Sequence, residues 1–113
     1  MDNNTVLLFT RYGMGDAPQE LQGLLAGKFL NLIDDAGVLP AKMLFYADGV
    51  KLACEGSPVL EQLRALATRG VGLILCQTCL DYYGLRERVA VGVVGGMPDI
   101  IEAMSQAGKV VSL

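Results

Sequence analysis

The amino-acid sequence predicts an α/β fold, a single-domain three-layer sandwich in which a mainly parallel sheet of about five strands carries helices on both faces. Short apolar segments rich in β-branched residues alternate with longer segments whose apolar residues recur at helical spacing. Glycine or proline stands at most boundaries between the two kinds of segment. The alternation implies right-handed crossovers between parallel strands, and the 113 residues are enough for one domain, 1–113, with one core.

The first part of the chain predicts a strand at 5–10, a loop at 11–16 and a long helix. Pro18 suits the first turn of this helix and Gly37 suits its end. Seven apolar residues recur at helical spacing between them: Leu21, Leu24, Leu25, Phe29, Leu32, Ile33 and Ala36. A second strand is predicted at about 42–46.

The middle of the chain turns at 47–49, and residues 50–54 fit either a short edge strand or a loop. Ser57 is predicted to cap a second helix, with Pro58 as its first residue, because serine accepts a hydrogen bond there and proline lacks the amide hydrogen. Gly70 is predicted to end this helix.

The remaining part of the chain predicts five further elements: a strand at 71–75, a helix at 78–83, a strand at 89–94, a helix at 98–107 and a last strand at 109–113. Gly84 and Gly108 follow the two helices, where a left-handed residue ends a helix most easily. A Gly-Gly turn at 95–96 separates the strand at 89–94 from the helix that follows it.

The composition restricts the class of protein. Fifty-two per cent of the residues are hydrophobic and only 19% are charged, which predicts apolar surface buried between copies in a homo-oligomer. The net charge is −3 and no basic cluster is present, which argues against nucleic acid as a partner.

The chain is predicted to be cytoplasmic. No charge-free run approaches the roughly 18 residues of a membrane-spanning helix, so no membrane association is expected. The N-terminal residues lack the basic start and apolar core of a signal peptide. In that compartment the three cysteines are expected to be thiols rather than structural disulfides.

The chain contains no histidine. Ser-His and Cys-His hydrolytic machinery therefore cannot be assembled within one chain. Covalent chemistry would depend on a cysteine activated by backbone groups, lysine or arginine.

Two cysteines at C-x-x-C spacing form the strongest candidate site. Cys76 ends the predicted strand at 71–75, and Cys79 lies in the first turn of the next helix. Backbone amides around Gln77 and Thr78, together with the positive end of the helix dipole, are expected to favour exposed thiolates of lowered pKa. Cys76 and Cys79 are therefore the predicted catalytic residues.

Several kinds of chemistry fit this pair. Cysteine often ends a buried strand merely as a small apolar residue, but two at this spacing favour a functional site. The pair could cycle between dithiol and disulfide, or one sulfur could carry a persulfide, and spacing does not separate these two. Zinc fits less well, because one cysteine pair, a distant Cys54 and no histidine cannot supply four ligands within one chain. No metal and no cofactor are predicted.

The carboxyl ends of the other strands supply further candidates for substrate binding, since ligands of parallel sheets bind there. Arg11 and Gly13 follow the first strand, and Asp48 and Gly49 follow the second. The loop at 11–16 is not a full G-x-G-x-x-G fingerprint, because Pro18 stands where the third glycine would lie. Arg11 is expected to stabilise a sulfur anion or dock a carboxylate.

Other chemically capable residues receive ordinary interpretations. Cys54 is predicted to be structural. Lys51 is more simply a solvated lysine than a group that assists a thiolate, and Tyr82 and Tyr83 are expected to be packing or interface aromatics.

Three segments resemble a known family: DGVKL at 48–52, EGSPVL at 55–60 and GLILCQTCLDYYG at 72–84. The strand–helix alternation, with a cysteine at the third carboxyl end, resembles the DsrE/DsrF-like sulfur-relay proteins. The three segments together look most like the C-terminal domain of the YedF-type selenium-metabolism proteins, over nearly the whole chain. YedF-type proteins usually carry a preceding small domain with its own Cys-Pro motif, whereas this chain begins at the first strand.

The resemblance implies a flavodoxin-like sandwich that assembles into trimers or related oligomers. It also implies a sulfurtransferase-like carrier of sulfur or selenium, with Cys76 at the position of the sulfur-carrying cysteine and Cys79 as an assisting or resolving thiol. Gln77 and Thr78 would stabilise the thiolate, and the partners would be sulfur donor and acceptor proteins. Two alternatives remain: a non-catalytic binding module for a small anion or partner protein, and a C-x-x-C dithiol oxidoreductase.

Overall fold

A computed structural model describes all residues from Met1 to Leu113. The five strands are β1 Thr5–Phe9, β2 Lys42–Phe45, β3 Gly72–Cys76, β4 Val93–Gly95 and β5 Lys109–Ser112. The four α-helices are α1 Gln19–Ala36, α2 Leu60–Thr68, α3 Gln77–Tyr83 and α4 Met97–Gln106. Two 3₁₀ helices complete the chain, the first at Ala47–Ala53 and the second at Arg86–Arg88.

All five strands run parallel, in the order β4-β3-β2-β1-β5. The chain steps from β1 to β4 in one direction and then crosses back to β5 on the far side of β1. Right-handed crossovers place the connection through α4 on the face opposite α1 and α2 when the direction reverses. The predicted α/β sandwich, with helices on both faces of a five-stranded parallel sheet, is confirmed.

One hydrophobic cluster of 24 buried residues forms the core. Every residue of β1 is buried, as a parallel strand covered on both faces requires, whereas β4 and β5 are largely exposed. At the carboxyl end of the sheet the rings of Phe9 and Phe45 stack, with centroids 5.4 Å apart. The inner strands β1 and β2 therefore end in two stacked aromatic rings, and the segments that follow these strands start beside them.

The helix ends agree with the sequence at two glycines and differ at a third. Gly37 and Gly84 adopt the left-handed conformation (φ 66° and 67°) predicted after α1 and α3. Gly108 does not: α4 ends at Gln106 and is followed by Ala107 in an extended conformation. A Cβ on Gly108 would lie 2.5 Å from the side-chain amide nitrogen of Asn4. This glycine therefore allows the Asn4 side chain to lie close to the backbone and does not cap the helix.

The strand predicted at 89–94 is shorter than expected. β4 begins only at Val93, because Val89 leaves the sheet and forms an isolated antiparallel bridge with Cys54. The Ala53 carbonyl accepts hydrogen bonds from the next two amides, those of Ala90 and Val91. The backbone N–H groups that would have extended β4 thus bond to the end of the first 3₁₀ helix instead of to β3.

The beginning of α2 also lies later than predicted. Pro58 and Val59 form a turn before the helix, and the Val59 N–H donates to the Ser57 hydroxyl at 3.2 Å. The helix itself starts at Leu60. Residues 50–54, left open between strand and loop, lie mostly in the first 3₁₀ helix. No helix is both long enough and apolar enough to cross a membrane.

Candidate functional site

The site lies where β2 and β3 end beside one another. Phe45 of β2 pairs with Leu75 of β3, so the segments that leave these strands start from neighbouring positions. The first 3₁₀ helix leaves β2 and α3 leaves β3. Consequently the residues at 47–48 face the first and last turns of α3.

Cys76 is the last residue of β3 and precedes the first turn of α3. Only 1% of its surface is exposed, and it belongs to the hydrophobic core. The expectation that its sulfur is open to solvent is wrong. The pairing of Cys76 with Gly95 fixes it at the end of an inner strand, where the sheet and its neighbouring elements cover the side chain.

Cys79 occupies the third position of α3 and is half-buried. Its Sγ accepts a hydrogen bond from the Ala47 N–H at 3.1 Å. Cys76 lies three positions earlier, at the end of β3, and is close enough to affect the titration of the same sulfur. Of the two predicted sulfurs, that of Cys79 is therefore the one that a second molecule can approach.

The Cys79 thiol is less acidic than the sequence predicts. Partial burial, the largest effect, raises its pKa above the ordinary value, and the neighbouring Cys76 thiol raises it further. The Ala47 N–H opposes this rise, because it stabilises a negative charge on the sulfur. The predicted lowering of the pKa is wrong for Cys79, since burial outweighs the backbone hydrogen bond.

Ala47 is the only non-glycine residue with a positive φ, at 50°. This left-handed conformation is unfavourable for a residue with a Cβ atom, and such strain concentrates at functional sites. The preceding residue is extended, and its N–H donates to the Phe9 carbonyl at 3.1 Å. The abrupt change of direction between the two residues accompanies the contact of the Ala47 N–H with Cys79.

Asp48 lies at the site but is engaged by protein groups. Its Oδ1 accepts a hydrogen bond from the Tyr83 hydroxyl at 2.6 Å. The same oxygen forms an ion pair with Lys51 Nζ at 3.0 Å. The Tyr83 hydrogen bond, followed by Lys51, lowers the pKa of Asp48. The same hydrogen bond raises the pKa of Tyr83 to about 12. Lys51 Nζ also lies 4.4 Å from the centroid of the Tyr83 ring, a cation–π contact.

Gly49 does not face a ligand. It is buried, and a Cβ there would lie 2.0 Å from the Phe9 carbonyl oxygen. The glycine is needed because the first 3₁₀ helix crosses the end of β1 at close range. Its predicted role in substrate binding is therefore replaced by a packing role.

The loop after β1 is used for packing on α1. Gly13 is buried with φ 140°, and a Cβ on it would meet the backbone of Gln22 at 2.4 Å. The Met14 N–H donates to the Gln22 carbonyl at 3.1 Å, so this amide is not free for an anion. Arg11 is exposed and forms no ion pair, which leaves its predicted contact with a ligand as a prediction only.

Gln77 and Thr78 are exposed in the first turn of α3, next to the sulfur. Amides in the first turn of a helix have no partner within the helix, which leaves donors near Cys79 for a bound anion. Cys54 is buried and its Sγ donates to the Val50 carbonyl at 3.3 Å. Burial, and secondarily Glu55, raise the pKa of Cys54, which is consistent with a structural residue.

Two cavities flank this region. A cavity of about 370 Å³ is lined by six residues: Tyr12, Lys51, Cys54, Glu55, Tyr83 and Leu85. A larger one of about 560 Å³ lies between α1 and the loop before α2, and no cysteine lines it. The smaller cavity is lined by Lys51 and Tyr83, which also contact Asp48, so it is the cavity that adjoins the cysteine site. No group of three or more His, Cys, Asp or Glu residues is arranged to hold a metal ion.

The sequence predicted a turn at Ala47 without a functional role, and it predicted a packing or interface role for Tyr83. Tyr83 could have been found, because residues four apart share a helix face and Cys79 lies four positions earlier. Ala47 gave no signal, since alanine rarely adopts a left-handed conformation and its contribution is a backbone N–H.

The protein is an all-parallel α/β sandwich, and two of its cysteines lie where an inner strand passes into a helix. The chain belongs to the DsrE/DsrF-like family, whose model matches residues 6–113. This family is associated with sulfur relay in general. Among curated proteins, none matches the chain significantly.

Solved structures show the same fold at low sequence identity. The YchN protein from E. coli is 19% identical with a TM-score of 0.69, and all of both chains are covered. MTH1491 from Methanobacterium thermoautotrophicum is 15% identical with a TM-score of 0.70, covering 96% of this chain and 97% of that one. BT1422 from Bacteroides thetaiotaomicron is 14% identical with a TM-score of 0.69, covering 98% and 96%. At these identities the likeness concerns the fold alone.

Proposed function

We propose that this protein relays sulfur as a persulfide carried on Cys79, with Cys76 as a neighbouring thiol that assists it. One observation carries the proposal: Cys79 alone among the three cysteines is more than marginally exposed, and its sulfur accepts a backbone N–H from Ala47. Membership of a family associated with sulfur relay supports it. The burial of Cys76 moves the acceptor role from that residue to Cys79.

The transfer is a pair of thiol exchanges that needs no oxidant. The Cys79 thiolate attacks the terminal sulfur of a donor persulfide, a new S–S bond forms on Cys79, and the donor's S–S bond breaks. The electron pair of the broken bond leaves on the donor thiolate. An acceptor thiolate then attacks the terminal sulfur on Cys79, which returns Cys79 as a thiolate.

Backbone groups stabilise the negative sulfur in this scheme, because the chain has no histidine to act as a base. The raised pKa of Cys79 leaves a smaller fraction as thiolate near neutral pH. Each such thiolate is a stronger nucleophile, since nucleophilicity increases with thiol pKa. We therefore expect moderate reactivity towards free reagents and faster transfer where a docked partner supplies further positive charge.

Intact-protein mass spectrometry after incubation with a cysteine desulfurase and cysteine tests the assignment. Wild-type protein and Cys54→Ser are expected to gain the mass of one sulfur atom, and a reducing agent should remove it. Cys79→Ser is expected to gain none. No addition to wild type, or equal addition to Cys79→Ser, would overturn the proposal, and loss of addition only in Cys76→Ser would return the acceptor role to Cys76.

The partners in this proposal are a sulfur donor and an acceptor protein, together with further copies of this chain. Exposed apolar side chains cluster on β4 and α4, where Val93 is 63% and Ile101 59% exposed. Such a surface favours a homo-oligomer. The resemblance to YedF-type proteins extends the proposal to selenium, which would be carried as the corresponding Cys79–S–SeH group.

A dithiol oxidoreductase is the second candidate, favoured by the placement of Cys76 at the end of β3 and Cys79 three positions later in α3. It predicts that mild oxidation forms a disulfide between these two residues, detected by peptide mapping, and that a reductant turns the protein over. Persulfide addition to Cys79 without such turnover would reject it.

A further inference from the structure

Two hydrogen bonds join the first 3₁₀ helix to α3 at neighbouring points. The Ala47 N–H donates to Cys79 Sγ at 3.1 Å, and the Tyr83 hydroxyl donates to Asp48 Oδ1 at 2.6 Å. Ala47 and Asp48 are adjacent in the chain, while Cys79 and Tyr83 are four residues apart on one helix face. Together the two bonds fix both the separation and the relative orientation of the two segments.

The second of these bonds is reinforced by a cation. Lys51 Nζ lies 3.0 Å from Asp48 Oδ1 and 4.4 Å from the centroid of the Tyr83 ring, so each of the three groups contacts the other two. The pKa of Tyr83 is raised to about 12 and that of Asp48 is lowered. The phenol therefore remains a donor and the carboxylate an acceptor throughout the physiological pH range.

Ala47 needs such an external restraint. Its φ of 50° is unfavourable for a residue with a Cβ, and its own side chain is exposed, so its conformation depends on contacts of its neighbours. These are the Gly49 N–H bond to the Tyr46 carbonyl at 2.9 Å and the contact of Asp48 with Tyr83. If the contact between Asp48 and Tyr83 were lost, the backbone could relax towards an ordinary conformation. The Ala47 N–H would then point away from the sulfur.

We propose that Tyr83 and Asp48 are positioning residues that hold the Ala47 N–H against the Cys79 sulfur and thereby control the reactivity of this thiol. The inference rests on the proposed role of Cys79 as the sulfur carrier. The contact between Tyr83 and Asp48 touches no reacting atom. Its role in this inference is to keep the Ala47 N–H in the position from which it stabilises the Cys79 thiolate.

The pH profile of Cys79 alkylation by iodoacetamide, followed on the Cys79 peptide by mass spectrometry, tests this inference. Tyr83→Phe keeps the ring and removes the hydroxyl, and it is expected to move the midpoint upwards by about 0.5 to 1 pH unit. That shift lowers the thiolate fraction below the midpoint roughly threefold to tenfold, and because the remaining thiolate is more nucleophilic, the rate should fall about twofold to fourfold. Above the midpoints of both proteins the Tyr83→Phe rate should equal the wild-type rate or exceed it by up to about threefold, because both thiols are then ionised and the thiolate of higher pKa is the stronger nucleophile.

The chain offers a matched control and a second route to the same loss. Tyr82→Phe removes the same hydroxyl from an adjacent residue that is 84% exposed and has no hydrogen bond, so its profile should match wild type. Asp48→Ala should shift the midpoint in the same direction as Tyr83→Phe. The double variant should add less than a twofold further change to the larger single effect.

The outcomes separate positioning from general structural support. A Tyr83→Phe profile that coincides with wild type overturns the inference, as does an equal shift in Tyr82→Phe. A rate changed by the same factor at every pH, above the midpoint as well, also overturns it, because that would report access and not thiolate stabilisation. Alkylation needs no sulfur donor, so failure of sulfur loading in wild type would reject the proposed function separately.

Discussion

Replacing Gly49 by alanine should destabilise the protein strongly, although only one methyl group is added. The new Cβ would lie 2.0 Å from the Phe9 carbonyl oxygen and 2.6 Å from the Phe9 carbonyl carbon. Ordinary contact begins at about 3.4 Å, so the first 3₁₀ helix and the end of β1 must separate by about 1.4 Å. Neither neighbour can yield easily, because both are buried backbone.

Two costs contribute to the expected loss. Forcing extra volume into a packed site costs about 1–3 kcal/mol. The required movement also strains the hydrogen bond from the Tyr46 N–H to the same Phe9 carbonyl, 3.1 Å long, which contributes about 1 kcal/mol. The free energy of unfolding of Gly49→Ala should therefore be lower than that of wild type by about 2–4 kcal/mol.

Urea unfolding followed by circular dichroism measures this difference. The matched control is Gly23→Ala in α1, where the nearest atom to the new Cβ would be 3.8 Å away and the helix should gain about 0.5–1 kcal/mol. The same chemical change should thus have opposite signs at the two positions. A loss below about 1 kcal/mol for Gly49→Ala would refute the argument that the 3₁₀ helix rests rigidly on β1.

Three further predictions concern strain, titration and assembly. Ala47→Gly relieves the positive φ and should raise the free energy of unfolding by about 1 kcal/mol in urea titrations, whereas a loss would contradict the strain. The raised pKa values of Cys54 and Cys79 mean that the unfolded chain loses its thiol protons first. Stability should therefore fall as the pH rises above about 9, and less steeply in Cys79→Ser; a flat profile would contradict this. Ile101→Glu places a charge on the exposed apolar surface and should reduce the molar mass measured by light scattering, while Gln106→Glu on the same helix should not. Equal masses for both variants and wild type would exclude this surface from the assembly.

The fold could be predicted from the sequence because its signals are local and repeated. The alternation of apolar periods predicted the succession of five strands and four helices along the chain, and Gly37 and Gly84 marked helix ends that the structure confirms. The length of β4 could not be predicted in this way. The apolar run that begins at Val89 looks like a strand, but its first residues bond to Ala53 and Cys54 instead of to β3.

The chemistry of the site was harder to predict than its position. The sequence correctly placed Cys76 at the end of β3 and Cys79 in the first turn of the helix that follows. It could not show which sulfur is covered, because burial depends on the register of β3 with β4 and on the elements packed around it. Nor could it show that partial burial of Cys79 outweighs a backbone donor. These balances depend on tertiary distances.

β3, which leads into the cysteine site, is the second strand from one edge of the sheet. Only one strand of three residues separates β3 from the rim, and neighbouring strands lie about 4.8 Å apart. A macromolecule resting against that rim would lie two strand spacings, about 10 Å, from the strand that leads to the two cysteines. Substitutions of the exposed side chains of β4 therefore change the surface that a partner meets at this edge, while the Cys79 sulfur and the Ala47 N–H stay unchanged.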